Sequence, residues 1–288
     1  MQGGSTVIDC KLSNGVTIPA LGYGVFQMTS AEVHEHLPQA IELGFRHIDT
    51  ANGYYNEVAV GEEIAKSGIP REEFFVTTKL WPRDYPYELC KKAIDASLKR
   101  LGMDYVDLML FHQPYGAYTD GWRALEEALQ EGKVCAIGLS NFPHDKYQQI
   151  LDVATVKPQV LQVELNPRCN QHAMKDWLAD TGVVFEGWYP LGHGDAKLLE
   201  IPALVDAAKA HGKTPAQVCL RWSIQEGNVV FPKTLNPEHM RQNLDIFDFE
   251  LSAEEMAAID AVPQNPYYEV PEEAPVFING MPDFDQQM

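Results

Sequence analysis

Short apolar runs alternate with longer stretches in which apolar residues recur at helical spacing. The runs cover 21–26 (LGYGVF), a segment ending at Asp49, then 74–80, 106–112, 134–140, 160–165, 183–189 and 229–233. Their near-continuous apolar character predicts strands buried on both faces. Between them the periodicity predicts helices. The first runs to about Leu43 and opens with a Thr29/Glu32 capping box; others cover about 57–67, 86–101, 119–131, 144–154 and 170–180. Gly132 and Gly182 read as stops. Two helices follow at 202–211 and 215–226, the second opened by Thr214-Pro215-x-Gln217, then one at 236–243 and one capped by Ser252 and Glu255 that ends near Ala261. Ahead of the first run, 6–11 and 16–18 flank Asn14-Gly15, a hairpin signal.

Eight strands each followed by helix predict an α/β fold, a (β/α)8 TIM barrel, with one domain over 1–288, an N-terminal β-hairpin over 1–19 and a C-terminal loop over 263–288. Gly22 and Gly24 inside the first strand mark either close approach of a ligand or a tight barrel corner. Prolines at 263, 266, 271, 275 and 282 argue against helix in the C-terminal stretch, which reads as a long loop crossing the active-site face.

A net charge of −19 argues against nucleic acid and anionic membranes as partners. The five dispersed cysteines lack metal-ligand spacing and read as reduced thiols. No apolar run has the length of a leader or a membrane span, so a soluble, cytoplasmic protein is expected.

Chemistry gathers at the carboxyl ends of the strands, where a barrel places its site. Asp49 ends the second run, Lys79 lies near the end of the third, His112 ends the fourth, and Tyr54 follows Asp49 within GFRHIDTANGYYNE. His47-x-Asp49 with His112 resembles part of a metal-hydrolase site, but the later strand ends offer Ser140, Asn141, Glu164, Asn166, Trp188 and Lys233 rather than more ligands, and Lys79 opposes a cation. Proton chemistry fits better. Tyr54 is expected as acid/base, with Lys79 lowering its pKa, Asp49 anchoring the ammonium and neutral His112 donating to a substrate oxygen.

These residues, with TTKLW at Lys79, DLMLFHQP at His112, GLSNF, QVELNP, WYPLG and FPKTLNPEHMRQN in order, resemble the aldo-keto reductase family, in its short-loop, prokaryotic-type form. The resemblance implies hydride transfer from NADPH to an aldehyde or ketone. It implies catalytic roles for Asp49, Tyr54, Lys79 and His112, and cofactor contacts from Val25, Ser140, Asn141, Gln162, Trp188, Leu191, Gly192, Lys233, Thr234, Asn236, His239, Gln242 and Asn243. Ser140, Asn141 and Gln162 would hold the nicotinamide carboxamide, Trp188 would stack on the ring, and the residues from Lys233 onward would meet the adenosine phosphate region. Phe26, Trp81, His112 and Tyr115 would wall the substrate, a small-molecule carbonyl compound.

Two departures modify the expectation. The segments after His112 and Gly192 are short, so the pocket should be open. At the position where the family often has Arg for the 2′-phosphate stands His239, whose residue type carries charge only part of the time near neutral pH. A weak preference for NADPH, with measurable NADH use, is therefore expected. A non-catalytic NADP-binding regulatory or structural subunit on the same barrel is the alternative.

Overall fold

Gly15 takes a φ of +91°, a conformation that favours glycine, and lets β1 (Asp9–Lys11) pair antiparallel with β2 (Thr17–Pro19). The structure, a computed structural model, describes residues 8–287, so positions 6 and 7 of the expected first strand lie outside the described residues. Leu12 and Ile18 of this hairpin pack with Leu108, Leu110, Ala136 and Val160 in a buried cluster. The hairpin thus closes the amino end of the barrel.

Eight parallel strands follow: β3 (Gly22–Gly24), β4 (His47–Asp49), β5 (Phe75–Leu80), β6 (Val106–Phe111), β7 (Val134–Ser140), β8 (Val160–Glu164), β9 (Val184–Trp188) and β10 (Val229–Val230). They pair in chain order from β3 to β10. The seam between the two edge strands is held by the Leu21–Val230 bridge and by Val230 N donating to the Ala20 carbonyl at 2.8 Å. The last strand is shorter than the expected 229–233. Pro232 has no N–H to give a ladder, so pairing stops before it.

The seam also accounts for the glycines of β3. A Cβ on Gly24 would lie 2.9 Å from the Phe231 carbonyl oxygen, and one on Gly22 would meet the His47 ring. Both glycines serve barrel closure and interior packing.

The surrounding helices are α1 (Ser30–Leu43), α2 (Glu57–Lys66), α3 (Tyr87–Leu101), α4 (Tyr118–Gln130), α5 (His144–Val153), α6 (His172–Leu178), α7 (Ala196–Leu199), α8 (Pro202–His211), α9 (Pro215–Gln225), α10 (Pro237–Leu244), α11 (Ala253–Asp260) and α12 (Val276–Asn279). Capping boxes form at Thr29, Thr214 and Ser252, each side chain accepting from the third helical N–H. Two short helices depart from expectation. The four-residue α7 was not foreseen, and the C-terminal stretch contains α12 and a 3-10 turn over Phe284–Gln287. Pro275 precedes α12 rather than interrupting it, a position where its missing N–H costs nothing. The segment does cross the carboxyl ends of the strands, as expected: Trp81 Nε1 donates to Ile278 O at 2.8 Å and Tyr115 Oη to Pro271 O at 2.9 Å. Among the described residues no helix is long and apolar enough to cross a membrane.

Helices α2 and α3 approach at Gly61, where an added Cβ would collide with the Leu101 carbonyl, a backbone atom that cannot swing aside. Gly61→Ala should therefore destabilise the protein by at least about 1–3 kcal/mol despite the better helix propensity of Ala. Urea unfolding checks this, and a stability within about 0.5 kcal/mol of wild type would contradict the close approach.

Candidate active site

Each group of the site is placed by a local feature of the chain. Asp49 is the last residue of β4 and Lys79 the fifth of β5, while His112 follows β6 directly. Tyr54 ends a 3-10 turn, Asn52–Tyr54, and Tyr55 then takes a left-handed φ of +58° before α2 begins. Asn56 holds this turn: its Oδ1 accepts from Thr50 Oγ1 at 2.7 Å, and its Nδ2 donates to the Val25 and Met28 carbonyls. The phenol is thereby aimed back over the end of β4.

Lys79 is fully buried, and its ammonium donates to Asp49 Oδ1 at 2.6 Å, Thr50 O at 3.0 Å and Tyr54 Oη at 3.1 Å. Three acceptors match the three N–H donors of an ammonium, the condition under which a buried charge is tolerated. Burial works against this ammonium, but Asp49, then Tyr54, outweighs it and holds Lys79 above its ordinary pKa. Burial lifts the Asp49 carboxyl, opposed by Lys79 and Gln162. For Tyr54 the sequence expectation needs correction. Lys79 does pull the phenol down, yet burial is the larger effect and holds it above its ordinary value. The phenol is thus kept protonated, the state a proton donor requires.

His112 is held well below the usual imidazole pKa by burial and then by the Lys79 charge, so its ring is neutral. Its Nδ1 is enclosed without a hydrogen-bond partner, which favours the tautomer with the proton on Nε2. The ring lies edge-on to Tyr54, at 5.5 Å, and to Trp81, at 5.0 Å.

The residues expected at a nicotinamide come together beside these groups. Ser140 ends β7, and Asn141 takes a φ of +64°. Asn141 Nδ2 donates to His112 O and Ser140 Oγ, and its Oδ1 accepts from the partly exposed Trp188 at 2.8 Å. Gln162 Nε2 donates to Asp49 Oδ2 at 3.0 Å and to Glu186 Oε2 at 2.8 Å. Val25 is buried, its N–H donating to Asp49 O at 3.0 Å. Leu191 and Gly192 lie in the turn after β9, Gly192 at a φ of +58°.

The residues expected at the adenosine phosphate gather at the start of α10. Lys233 and His239 are exposed, His239 with no described partner; Thr234 Oγ1 accepts from Asn236 N, and the Asn236 side chain caps the helix. Gln242 Nε2 reaches Glu238 Oε1 at 3.5 Å, and Asn243 is buried.

Of the expected substrate wall, Phe26 is 45% exposed with its ring 4.9 Å from that of Tyr54, whereas Trp81 and Tyr115 are buried with Ile278 and Phe284 of the C-terminal segment. The expected open pocket is therefore covered on the Trp81 side, and its exposed wall is at Phe26.

Sequence reading missed Glu186 and gave His47 and Glu164 no role beyond the rejected metal reading. Glu186 and His47 lie beneath Asp49 in the barrel, and the buried Glu164 carboxylate accepts the Tyr267 and Tyr268 N–H groups at 2.8–2.9 Å. His47 Nδ1 donates to Pro19 O, and Nε2 accepts from Thr77 Oγ1 at 3.1 Å, so both ring nitrogens are committed within the protein. An acid in the middle of an apolar run, as in VVFEGWY, was the available signal for Glu186.

The family model described as the Aldo/keto reductase family matches residues 20–264. The chain belongs to this family. It is 46% identical over 255 residues to an aldo-keto reductase of Mycobacterium sp. (strain MCS), covering 88% of this chain and 89% of the relative. It is 45% identical over 254 residues to the glyoxal reductase of Bacillus subtilis (strain 168), covering 88% and 91%. The crystal structure of an aldo/keto reductase from Brucella melitensis superposes with a TM-score of 0.85 at 42% identity, covering 88% of this chain and 99% of that one. This aldo-keto reductase is accordingly an oxidoreductase, of a family that generally uses nicotinamide cofactors.

Burial holds His47 down to about 3, so between pH 6.5 and 3 the unfolded chain binds a proton that the folded chain refuses. His47 then contributes stability that is complete above pH 6.5 and falls as the pH is lowered, by at most about 1.4 kcal/mol per unit. His47→Asn, which keeps a donor near Pro19 O, should flatten the dependence of urea stability on pH between 6 and 5 by about 1 kcal/mol. Parallel curves for variant and wild type would remove His47 from the acid response.

Proposed function

We propose that the protein reduces aldehydes or ketones to alcohols with NADPH, weakly preferred over NADH, and that Tyr54 supplies the proton. The observation that carries this reading is the Lys79 ammonium, hydrogen-bonded at once to a carboxylate and to a phenol at the mouth of the barrel. Bound reduced nicotinamide would supply the hydride. Trp188 fits the stacking position for that ring, since its indole N–H is fixed on Asn141, whose amide donates to His112 O, and the side chain remains partly exposed.

The protein's own residues account for the rest of the reaction. His112, neutral and with Nε2–H free to donate, would orient the carbonyl oxygen within reach of Tyr54. As the carbonyl carbon gains the hydride, its oxygen takes the Tyr54 proton, and Lys79 stabilises the phenolate left behind. Solvent then returns the proton. One hydride and one proton convert the carbonyl to the alcohol. Phe26 would give the substrate its exposed aromatic wall, and the acids of the C-terminal segment that covers Trp81 and Tyr115 would favour neutral carbonyl compounds over anionic ones. The relative named glyoxal reductase supports a small carbonyl substrate.

Cofactor choice would rest on Lys233, Thr234 and the amino end of α10, a position suited to a phosphate group. Arg241, on the same helix, is paired with Glu238 at 3.3 Å. His239 is exposed and adds no permanent charge.

Tyr54→Phe should lower turnover by at least about 100-fold while cofactor affinity stays nearly unchanged. Lys79→Met should be at least as severe and should also destabilise the fold, since Asp49 is left buried without its cation. Near-normal consumption of reduced cofactor by Tyr54→Phe with a small aldehyde would overturn the assignment.

A second measurement addresses the phosphate. His239→Arg should raise the NADPH/NADH affinity ratio by roughly 10- to 100-fold, the value of one charge-assisted hydrogen bond. Titration by protein fluorescence reads the ratio, and an unchanged value would place the 2′-phosphate away from His239.

A further inference from the structure

Strand β9 carries a carboxyl group that the proposed chemistry does not use. Glu186 is fully buried within Val184–Trp188, one inward position below Trp188. Gln162 links it to the site by donating to both Asp49 Oδ2 and Glu186 Oε2. A primary amide nitrogen has two hydrogens. Both are therefore committed, the amide is fixed in plane and sense, and its oxygen is the polar atom left to meet a ligand.

The charges in this enclosure do not balance if Glu186 is ionised. The titratable groups facing it are Asp49 and His47 from β4, Lys79 from β5 and Cys10 from β1. His47 is neutral, and burial pushes the Cys10 thiol up to about 11, so neither supplies or removes charge near neutral pH. Lys79 is the cation, and its hydrogen bonds go to Asp49, Thr50 and Tyr54. Glu186 Oε1 is enclosed with no hydrogen-bond partner, and His47 Nε2 is 3.9 Å away. An unpaired buried carboxylate is costly in such surroundings. Burial, then Asp49, push Glu186 up to about 8, against the Gln162 hydrogen bond and Lys79.

We propose that Glu186 is a positioning residue: by accepting the second amide hydrogen of Gln162 it fixes the Gln162 oxygen as the acceptor that meets the nicotinamide carboxamide. Glu186 does this as an uncharged acid through the neutral range. When it ionises in mildly alkaline solution, it adds a negative charge beneath the nicotinamide position, which favours the cationic oxidised ring over the neutral reduced one. The assignment rests on the proposed nicotinamide reading of the strand ends.

Two variants separate the parts of the proposal. Glu186→Gln keeps an acceptor oxygen for Gln162 but cannot ionise, whereas Glu186→Leu removes the acceptor. Affinities for NADPH and NADP+ are measured by fluorescence titration from pH 6.5 to 9.5. In the wild type the NADP+ affinity should tighten relative to NADPH by about three- to tenfold across pH 8. Glu186→Gln should bind both at pH 7 within about twofold of wild type and abolish this relative change, as expected for an isosteric acceptor without charge. Glu186→Leu should weaken both cofactors by about tenfold at pH 7 and should likewise lack the relative change across pH 8, with turnover at saturating cofactor changed less than about threefold. A wild type that binds neither nicotinamide overturns the reading of the site itself. A wild type that binds both, with the same pH dependence in Glu186→Gln, overturns the role of Glu186 alone; if Glu186→Leu does not fold, the Glu186→Gln profile decides.

Discussion

The site depends on one ammonium with three hydrogen bonds. Lys79 can be buried because β4 ends in a carboxylate, the residue after it turns its carbonyl inward, and a 3-10 turn returns Tyr54 to the same point. The two sides of β5 cooperate in this. Lys79 faces the barrel, while Thr78 faces outward and donates to Glu57 Oε1 at 2.6 Å; Glu57 Oε2 accepts from Arg100 at 2.7 Å. Glu57 is the first residue of α2 and Arg100 belongs to the last turn of α3. The buried pair outside the barrel therefore fixes the helix that follows Tyr54 against the strand that carries Lys79.

Polarity along the barrel axis follows from the twofold repeat of a strand. His47 and Asp49, Thr77 and Lys79, Gln162 and Glu164, and Glu186 and Trp188 are each two apart, so each pair shares a face of its strand. At the amino end the corresponding positions are apolar and pack on the hairpin. The barrel is thus dry below and hydrogen-bonded above. That gradient is what lets burial, rather than nearby charge, decide the protonation of Tyr54, His112 and Glu186.

Much of this was legible in local sequence because the signals are local. A capping box involves residues three apart, and an apolar run interrupted by Asp49 or Lys79 marks its own strand end. The approximate end of β10 was less legible, since it depends on Pro232 at a seam formed with β3, far away in the chain. The direction of the Tyr54 shift was misread for a related reason: the ammonium is a sequence-level neighbour, whereas desolvation is a property of everything packed around it. The Gln162–Glu186 hydrogen bond spans 24 residues and two strands. Only the odd position of an acid in VVFEGWY pointed toward it.

The C-terminal segment carries acids but no Lys or Arg, so it must be held by groups of the barrel. Glu164 takes two of its backbone N–H groups, and Arg100, already bound to Glu57, takes Asp285 at 2.7 Å. Arg83 donates to the Met281 and Pro282 carbonyls and lies 3.9 Å from the Phe284 ring centroid. In the proposed reading, substrate shape and chemistry fall to different parts of the chain. Asp49, Tyr54, Lys79 and His112 are braced by strands and buried pairs, whereas Trp81 and Tyr115 are covered by Ile278 and Phe284 from a segment with little regular structure of its own. A change in that segment would leave the Lys79 hydrogen bonds in place, because none of the three acceptors belongs to it, and under the proposed reading it would alter only which carbonyl compounds reach Tyr54.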